Sequence, residues 1–551
     1  MENGTSRSPA GPGRGWIGGV FAITLLIYAL WTPGVLRYTQ PPSGDQPYYL
    51  QTVISLLEDH DLNEYNNYNE SASYDQFYPL FGGDYPSDFE GILAPYPLPH
   101  EGHIVTTSAH AENEWYSKHG LGVPLLIIPG WVIGKALTPL LAGLTLNGGG
   151  GWPGVVFEYN LLGALLAVQV FLLAWETTGK RWIALVVWAT LAFSNPQMSY
   201  SYLIFPELPA ALLVIYAFRR LRLGWAANRL GQLWLVGLSL AYLPWLHYRL
   251  APIVVGLGLY GLHQRRAALR GQTVSFAKRV RALVPLLGPL VVSIIAMMVY
   301  DWWVCGSIVP DFQDHAGFFS PFVSQERMAE FLSLVGLSVD RGWGLLTYSP
   351  VFVLAWVGVF WLRRSREGRS LLGWFALIVV PYFMVVADYQ VWWGAWCPPA
   401  RYLAPITPLL ALPLATALAN IKHKTAFRLL YALLAGVSIT VMIAMLAHLD
   451  YKTADHVPML FNLSVQNVSF FSWLQAQVGL DLGSLFPVLT PCFLAGGCTV
   501  LWSQIWGVLS LVGVLLVAGL LCLGSAKPAT QENPGVRTRR PGLRSRYRNA
   551  L

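Results

Sequence analysis

The chain has 551 residues, of which 54% are hydrophobic, 13% aromatic and only 12% charged. This charged share is about half that of an average soluble domain, so a water-soluble globular fold is excluded. The formal net charge of +7 is concentrated in short loops and the C-terminal tail, which indicates membrane topology and argues against nucleic-acid binding. The five cysteines are scattered, without CxxC spacing or a His cluster, and predict no zinc or redox motif.

Apolar runs recur from residue 17 to residue 523. Runs of roughly 17 to 25 residues can cross a hydrocarbon core about 30 Å thick, and each must be helical because lipid satisfies no backbone polar groups. The first run, from Trp16 to about Val35, is longer than the apolar core of a signal peptide and lacks a small-residue cleavage site. We therefore expect a retained first span that follows a cytoplasmic N-terminal segment, residues 1–15.

Clusters of Lys and Arg mark the cytoplasmic side of a membrane protein. They occupy residues 219–229, 265–281, 363–369 and 422–428 and a basic tail, 524–551. Between them, spans are predicted near 181–196, 204–218, 230–247, 250–263, 281–301, 344–362, 370–388, 402–419, 427–448 and 500–523. Every cluster then lies inside, within one transmembrane domain, 16–523, that carries external loops 38–118, 302–343 and 450–499.

The stretch 119–176 must cross the membrane an odd number of times, because 38–118 is external and Lys180 is internal. It nevertheless contains two apolar runs, and we expect 121–143 to be re-entrant or to lie in the interface. The predicted fold is therefore all-α and polytopic, with about 12 transmembrane helices, in a range of 11 to 13, and a long external first loop.

That loop opens with the sequence GDQPYYLQTVISLLEDH, which starts at Gly44. Apolar residues at Leu50, Ile54 and Leu57 recur at helical spacing and predict a short amphipathic helix on the membrane surface. The ordinary role of Asp45 is to cap this helix, with Pro47 in its first turn. A carboxylate there also points to where a membrane-bound substrate arrives, so both roles stay open.

The segments GDQPYYL and SLLEDHDLNEYNNY resemble the first external loop of membrane glycosyltransferases of the GT-C superfamily. Protein O-mannosyltransferases and the lipid A aminoarabinose transferase belong to that superfamily, and uncharacterised prokaryotic members read GDEPHYL and SLL-D-DL-NNY. The resemblance implies that Asp45 is the catalytic acidic residue, while Gln46 stands where these proteins usually have a second acid. Similar segments follow in the same order: YSKHGLG, FPELP, WLHYR, DRGWGLL, WWGAWC and ARYL.

The resemblance implies a sugar donor carried on a polyprenyl phosphate. No Gly-rich phosphate loop follows a strand, and the chain has no room for a soluble nucleotide-binding domain, so a nucleotide sugar is not expected as the direct donor. Lys118 and Arg401 would bind the donor phosphate, and Asp45 would act as general base on the hydroxyl of a glycan, lipid or protein acceptor, with inversion. No cofactor or metal ligand is predicted, and a need for a divalent metal is left open.

Seven further polar residues are secondary candidates for positioning or proton transfer: Gln46, His119, Glu207, His247, Arg249, Asp340 and Arg341. Ordinary structural roles compete with each function. Glu207 lies between prolines at the start of a span, where an acid needs an ion-pair partner, whereas His247 and Arg249 flank a turn and could cap helices. Asp340 and Arg341 could form a surface pair.

Lys118 and Arg401 lie at predicted membrane boundaries, where they could equally be snorkelling anchors. The tryptophans Trp392, Trp393 and Trp396 suit an interfacial aromatic belt and also a wall on which a sugar stacks. Cys492 and Cys498 lie close together in an external segment, as either a disulfide or two thiols.

A transporter or flippase for a lipid-linked sugar is the alternative function. It requires polar residues along the interiors of the spans, but the predicted spans 281–301, 402–419 and 427–448 are almost purely apolar. Charges gather instead at external ends, which favours an enzyme working at one face. We expect a prokaryotic plasma membrane protein with an extracytoplasmic active site.

Overall fold

The structure is a computed structural model. It describes residues 11–38, 44–69, 104–106, 110–141, 151–269, 275–308, 326–389, 391–394, 397–421, 424–450, 469–489 and 502–521. These residues are almost entirely helical, as the apolar sequence predicts.

The α-helices are α1 (Arg14–Tyr38), α2 (Gln46–Ile54), α3 (Tyr65–Asn69), α4 (Gly122–Ala136), α5 (Thr138–Leu141), α6 (Gly151–Thr178), α7 (Arg181–Ala192), α8 (Gln197–Tyr200), α9 (Glu207–Arg222), α10 (Leu230–Leu246), α11 (Ala251–Ala268), α12 (Phe276–Cys305), α13 (Glu326–Val339), α14 (Leu345–Tyr348), α15 (Ala355–Leu362), α16 (Arg366–Ala387), α17 (Ala411–Ala419), α18 (Lys424–Ala447), α19 (Ser469–Val478) and α20 (Trp502–Leu521). Strands β1 (Ile104–Val105) and β2 (Tyr116–Ser117) pair antiparallel in the first loop. Short 3-10 turns cover Trp225–Ala227, Tyr248–Leu250, Pro350–Leu354, Arg401–Leu403, Thr407–Leu410 and Leu482–Leu485, and a π turn covers Ser55–Asp59.

Five helices of the described chain are long and apolar enough to cross a membrane: α1, α6, α12, α16 and α18. Six shorter apolar segments accompany them: Gly122–Ala136, Arg181–Ala192, Leu230–Leu246, Pro350–Leu362, Thr407–Ala419 and Ile505–Leu521. The protein is therefore an all-α protein embedded in a membrane, as the run lengths predicted.

Two of the predicted spans are broken rather than continuous. The run at 344–362 consists of α14, a 3-10 turn that opens at Pro350, and α15. The run at 402–419 begins with two 3-10 turns before α17 starts at Ala411. Proline has no N–H to donate and clashes with the preceding helical turn, so Pro350 and Pro408 account for the interruptions.

Hydrogen bonds of polar side chains join α1 to α7. The Tyr28 hydroxyl donates to the Ala192 carbonyl at 2.6 Å, and the Trp188 indole donates to the Thr24 hydroxyl at 3.0 Å. Hydrogen bonds of this kind join helices in lipid, where burial of apolar surface supplies little attraction between them. They hold the middle of α1 against α7.

Glycines allow α4 and α6 to touch through their backbones. A Cβ atom on Gly154 of α6 would lie 2.1 Å from the Gly130 carbonyl and 2.6 Å from the Gly134 Cα of α4. Such small residues permit close helix crossings in membranes. Within the stretch 121–143, which was predicted to be re-entrant or to lie in the interface, α4 continues through Pro129 without a break and packs along α6.

The helix α2 differs from the predicted amphipathic surface helix. All nine of its residues are buried, and it packs against α4. Its polar side chains explain why: the buried Gln46 accepts a hydrogen bond from the Ile204 N–H at 2.9 Å, and Thr52 bonds Glu64. The prediction of a water-facing side was wrong because periodicity records only the apolar positions, not the partners of the polar ones.

Candidate active site

The candidate site begins at Asp45, the residue before α2. Asp45 occupies the N-cap position and Pro47 lies in the first turn, but the Asp45 side chain makes no capping hydrogen bond. Its carboxylate instead forms an ion pair with Arg401 and keeps about a quarter of its surface exposed, at 26%. The capping interpretation of this side chain is therefore wrong, because a cation that lies far along the chain takes the carboxylate.

Arg401 is the centre of the site and is almost fully buried, at 6% exposure. It follows Ala400, whose φ of 59° is left-handed, at the start of a 3-10 turn. Its Nε donates to Glu207 at 3.0 Å, Nη1 donates to the Gly394 carbonyl at 3.1 Å, and Nη2 donates to Asp45. All three guanidinium nitrogens therefore already serve acceptors of the protein.

Glu207 lies at the first position of α9 with no exposed side-chain surface. Its Oε1 accepts hydrogen bonds from both Arg401 and Arg249. The expectation that this acid is ion-paired is confirmed. The capping interpretation of Arg249, however, is wrong, because its guanidinium binds Glu207.

The four charges alternate in the order Asp45, Arg401, Glu207, Arg249, two acids and two cations. Aromatic rings line the arginines: the Arg401 guanidinium carbon lies 4.3 Å from the centre of the Phe205 ring, and that of Arg249 lies 4.3 Å from the centre of the Tyr402 ring. Cation–π contacts of this kind contribute more when the cation is shielded from water. We call these four residues the charge chain.

The charge chain keeps Asp45 ionised. Burial alone would raise the pKa of its carboxyl, but the positive charge of Arg401, followed by that of His119, holds the pKa well below its ordinary value. Aromatic contacts position His119. Its ring stacks on that of Tyr48, with 5.2 Å between the ring centres, and lies edge-on to that of Tyr49, with 5.4 Å between the ring centres. Lys118 is half-buried and directly precedes His119, after β2.

His247 performs the capping role that the sequence predicted. Its Nδ1 accepts the Arg249 N–H at 3.2 Å, at the start of the turn Tyr248–Leu250. The same turn is tied to α12 because the Tyr248 hydroxyl donates to Asp301 at 2.7 Å. His247 therefore positions Arg249 through the backbone, and Asp301 is a partner that the sequence analysis did not identify.

Asp340 and Arg341 do not form the predicted surface pair. Asp340 is fully buried and accepts from the N–H groups of Gly342 at 2.7 Å and Leu489 at 2.8 Å. Burial raises its pKa to about 6, against the lowering effect of these backbone bonds. Arg341 turns away and lies 3.6 Å from Asp481. The two residues join neighbouring loops and are not among the contacts of the charge chain.

The tryptophans are buried rather than arranged as an open wall. Trp392 is 1% exposed and Trp393 8% exposed. The Trp392 ring lies against Gly336 of α13, where an added Cβ would be 2.1 Å from the ring. This packing leaves little indole surface for a sugar, while Trp396, Cys492 and Cys498 lie outside the described residues.

The sequence analysis missed Glu64, a fully buried acid in the first loop. Its only signal was a single carboxylate within the aromatic and amide-rich segment NEYNNY. It missed Phe205 and Tyr402 as well, although both lie in motifs that it quoted. No group of three or more His, Cys, Asp or Glu that could hold a metal occurs in the described part of the chain.

Comparison with known proteins gave no relative. No protein-family model, no curated protein and no solved structure matches the chain.

Proposed function

We propose that the chain is a membrane glycosyltransferase of the GT-C type. It would take a sugar from a polyprenyl-phosphate carrier at the extracytoplasmic face of a prokaryotic plasma membrane, and about 12 spans would carry that site. One observation carries this proposal: Asp45, seven residues after the last residue of α1, is partly exposed and forms an ion pair with a buried cation. A carboxylate with these properties can receive the proton of an acceptor hydroxyl.

Asp45 is a weak base, because its pKa is held low. A weak base suits a displacement in which the bond to the leaving group is largely broken before the acceptor oxygen bonds to carbon. The acceptor hydroxyl would donate a hydrogen bond to Asp45, its oxygen would bond to the anomeric carbon, and the phosphate would leave with the electron pair of the broken bond. The hydroxyl proton would then pass to Asp45 and on to water.

We propose different roles for the two cations that were predicted to bind the donor phosphate. Arg401 already donates from all three nitrogens, which supports a role in holding Asp45 in place. Lys118 lies half-buried beside His119 at the end of β2 and would offset the phosphate charge as the donor bond breaks. The acceptor would be a glycan, a lipid or a protein.

The test replaces Asp45 by Asn, which keeps an oxygen for Arg401 but removes the base. We expect normal amounts of protein in the membrane and a loss of sugar transfer on the order of 100- to 10,000-fold. Lipid-linked sugars are extracted from cells and compared by mass spectrometry among the wild type, Asp45→Asn and cells without the protein. The control is Asp450→Asn, an exposed acid at the end of α18.

Accumulation of the same lipid-linked donor in the deletion and in Asp45→Asn, but not in Asp450→Asn, supports the proposal. Transfer within a few-fold of wild type in Asp45→Asn would refute the assignment of the base. A donor that changes membrane side without any new glycosidic bond would instead favour the lipid-linked sugar transporter.

A further inference from the structure

Glu64 is a buried acid outside the charge chain. It lies in the first external loop between the π turn that ends at Asp59 and α3, with no exposed surface. Its backbone N–H donates to the Trp115 carbonyl at 2.8 Å, which ties this part of the loop to the strand β2. Its side chain points to α2, where its Oε1 lies 2.5 Å from the Thr52 hydroxyl oxygen.

The hydrogen bonds around Thr52 can be counted. The Thr52 hydroxyl oxygen lies 2.5 Å from Glu64 Oε1 and 3.1 Å from the Tyr48 carbonyl oxygen. A threonine hydroxyl has one proton, and both neighbours would be pure acceptors if Glu64 were ionised. One of the two contacts would then bring lone pairs together. A protonated Glu64 removes the conflict, because its O–H donates to Thr52 and Thr52 donates to Tyr48.

The surroundings of Glu64 also favour the neutral acid. Its second oxygen, Oε2, is buried and has no hydrogen-bond partner among the described residues, and the ion pairs of the described chain include none to Glu64. The titratable groups that face it are the phenols of Tyr68 from α3 and Tyr300 from α12. Burial of a carboxylate without a cation costs far more than burial of a neutral carboxylic acid.

We infer that Glu64 is a neutral carboxylic acid at neutral pH and acts as a positioning residue that holds α2, and through α2 the candidate base Asp45. Thr52 lies seven residues after Asp45, which places the Glu64 contact about 10 Å along the same helix. The inference rests on the proposed function only where sugar transfer is measured.

The consequence is a dependence on pH. Burial raises the pKa of Glu64 to about 8, although the hydrogen bond between Glu64 and Thr52 lowers it somewhat. Because the folded-state pKa lies above the unfolded value, the stabilisation is complete below that unfolded value and is lost as the pH rises through about 8. Ionisation of Glu64 should therefore admit water, loosen α2 and displace Asp45.

The first experiment needs no activity. Infrared spectra of the full-length protein in lipid are recorded at about pH 7 and about pH 10, where a protonated carboxyl contributes its own C=O stretching band. The contribution of Glu64 is the difference between the spectra of wild type and Glu64→Gln, and we expect that difference to contain a protonated-carboxyl band at the lower pH and none at the higher pH. Thr52→Val removes the acceptor of the carboxyl proton and should shift the position of the band. This variant replaces Glu64→Gln in the test if Glu64→Gln does not accumulate. The absence of a band that depends on Glu64 or Thr52 would overturn the inference.

The second experiment measures sugar transfer against pH. With a pKa of about 8, about one tenth of the molecules keep the Glu64 proton at pH 9, so the wild-type kcat should fall about tenfold there with KM nearly unchanged. Glu64→Gln should stay flat, since its amide donates permanently to Thr52. The control Glu112→Gln, at an exposed position of the same loop, should fall as wild type does.

The outcomes separate this inference from the proposed function. If the infrared band behaves as expected but Glu64→Gln and wild type have the same pH profile, Glu64 has no positioning role and the inference fails. If no variant, including wild type, transfers sugar, the proposed function fails. Thermal unfolding against pH then decides for Glu64: a loss of stability as the pH rises from about 4.5 to about 8 in wild type but not in Glu64→Gln supports the inference, and identical curves overturn it.

Discussion

Individual residues of the charge chain depend on one another because they are buried. Asp45 and Glu207 are both held by Arg401, and Arg249 adds a second cation on Glu207. Removal of one partner from a buried ion pair costs more than the pair contributes, because a charge is left without compensation. The buried members Arg401, Glu207 and Arg249 therefore depend on one another, whereas the partly exposed Asp45 can lose its charge at a smaller cost.

Replacement of Arg401 by Ala should expose this dependence. The variant leaves the buried Glu207 and the partly exposed Asp45 with one cation, and we expect a loss of about 3–5 kcal/mol of stability, seen as a lower unfolding temperature in detergent. The control Arg366→Ala, at an exposed position on α16, should change stability by less than about 0.5 kcal/mol.

A second substitution tests the cause of that loss. Glu207→Gln combined with Arg401→Ala leaves Asp45 and Arg249 as the only two charges, so the double variant should be less destabilised than the sum of the two single variants. Strictly additive losses would mean that Arg401 acts through packing on Phe205 and not through its charge.

At the scale of elements, the crossing of α4 and α6 positions the segment that carries Lys118 and His119. α4 begins at Gly122, three residues after His119, so a shift of α4 moves both His119 and Lys118. The crossing depends on backbone contact at Gly130, Gly134 and Gly154. A side chain at this point would separate the helices.

We predict that Gly154→Ala lowers stability by about 1–3 kcal/mol, because the added methyl meets the backbone of α4 and not a flexible side chain. The control is Gly436→Ala on α18, where nothing lies within 4 Å of the added Cβ. That substitution should leave stability unchanged or raise it by up to about 1 kcal/mol. Equal unfolding temperatures for the two variants would show that the helices can separate without cost.

At the scale of the whole molecule, the orientation in the membrane decides which face carries the site. The basic clusters 219–229, 265–281 and 363–369 predict a cytoplasmic side, and the first loop lies on the other side in that scheme. The described part of this loop carries Asp45, Lys118 and Glu64, so its orientation fixes where any reaction takes place.

Labelling of single cysteines in a cysteine-free version of the protein tests the orientation. Glu112→Cys lies exposed in the first loop and Glu367→Cys lies exposed in a basic cluster. We expect a membrane-impermeant thiol reagent to label the first in intact cells and the second only after permeabilisation. The reverse pattern would place the site in the cytoplasm and contradict the external active site.

Sequence alone determined the membrane class and most helix positions. Hydrophobic run length is a local property, so the boundaries of α10, α16 and α18 could be predicted closely. It also singled out Glu207 correctly as ion-paired, because an acid in an apolar segment needs a partner wherever that partner lies. Capping by His247 followed from its place beside a turn.

Only the tertiary structure determined which residues pair with the charged residues of the candidate site. Asp45 and Arg401 are 356 positions apart, and no pattern along the chain indicates that α2 and the turn at Arg401 meet. Reasoning from neighbouring residues therefore suggested a capping bond for Asp45 and an ion pair with Arg341 for Asp340. In the folded chain Asp45 pairs instead with the distant Arg401, and Asp340 accepts from backbone N–H groups, one of them at Leu489. The protonation of Glu64 was hidden for the same reason, since burial and the count of donors around Thr52 exist only once the first loop has folded onto α2.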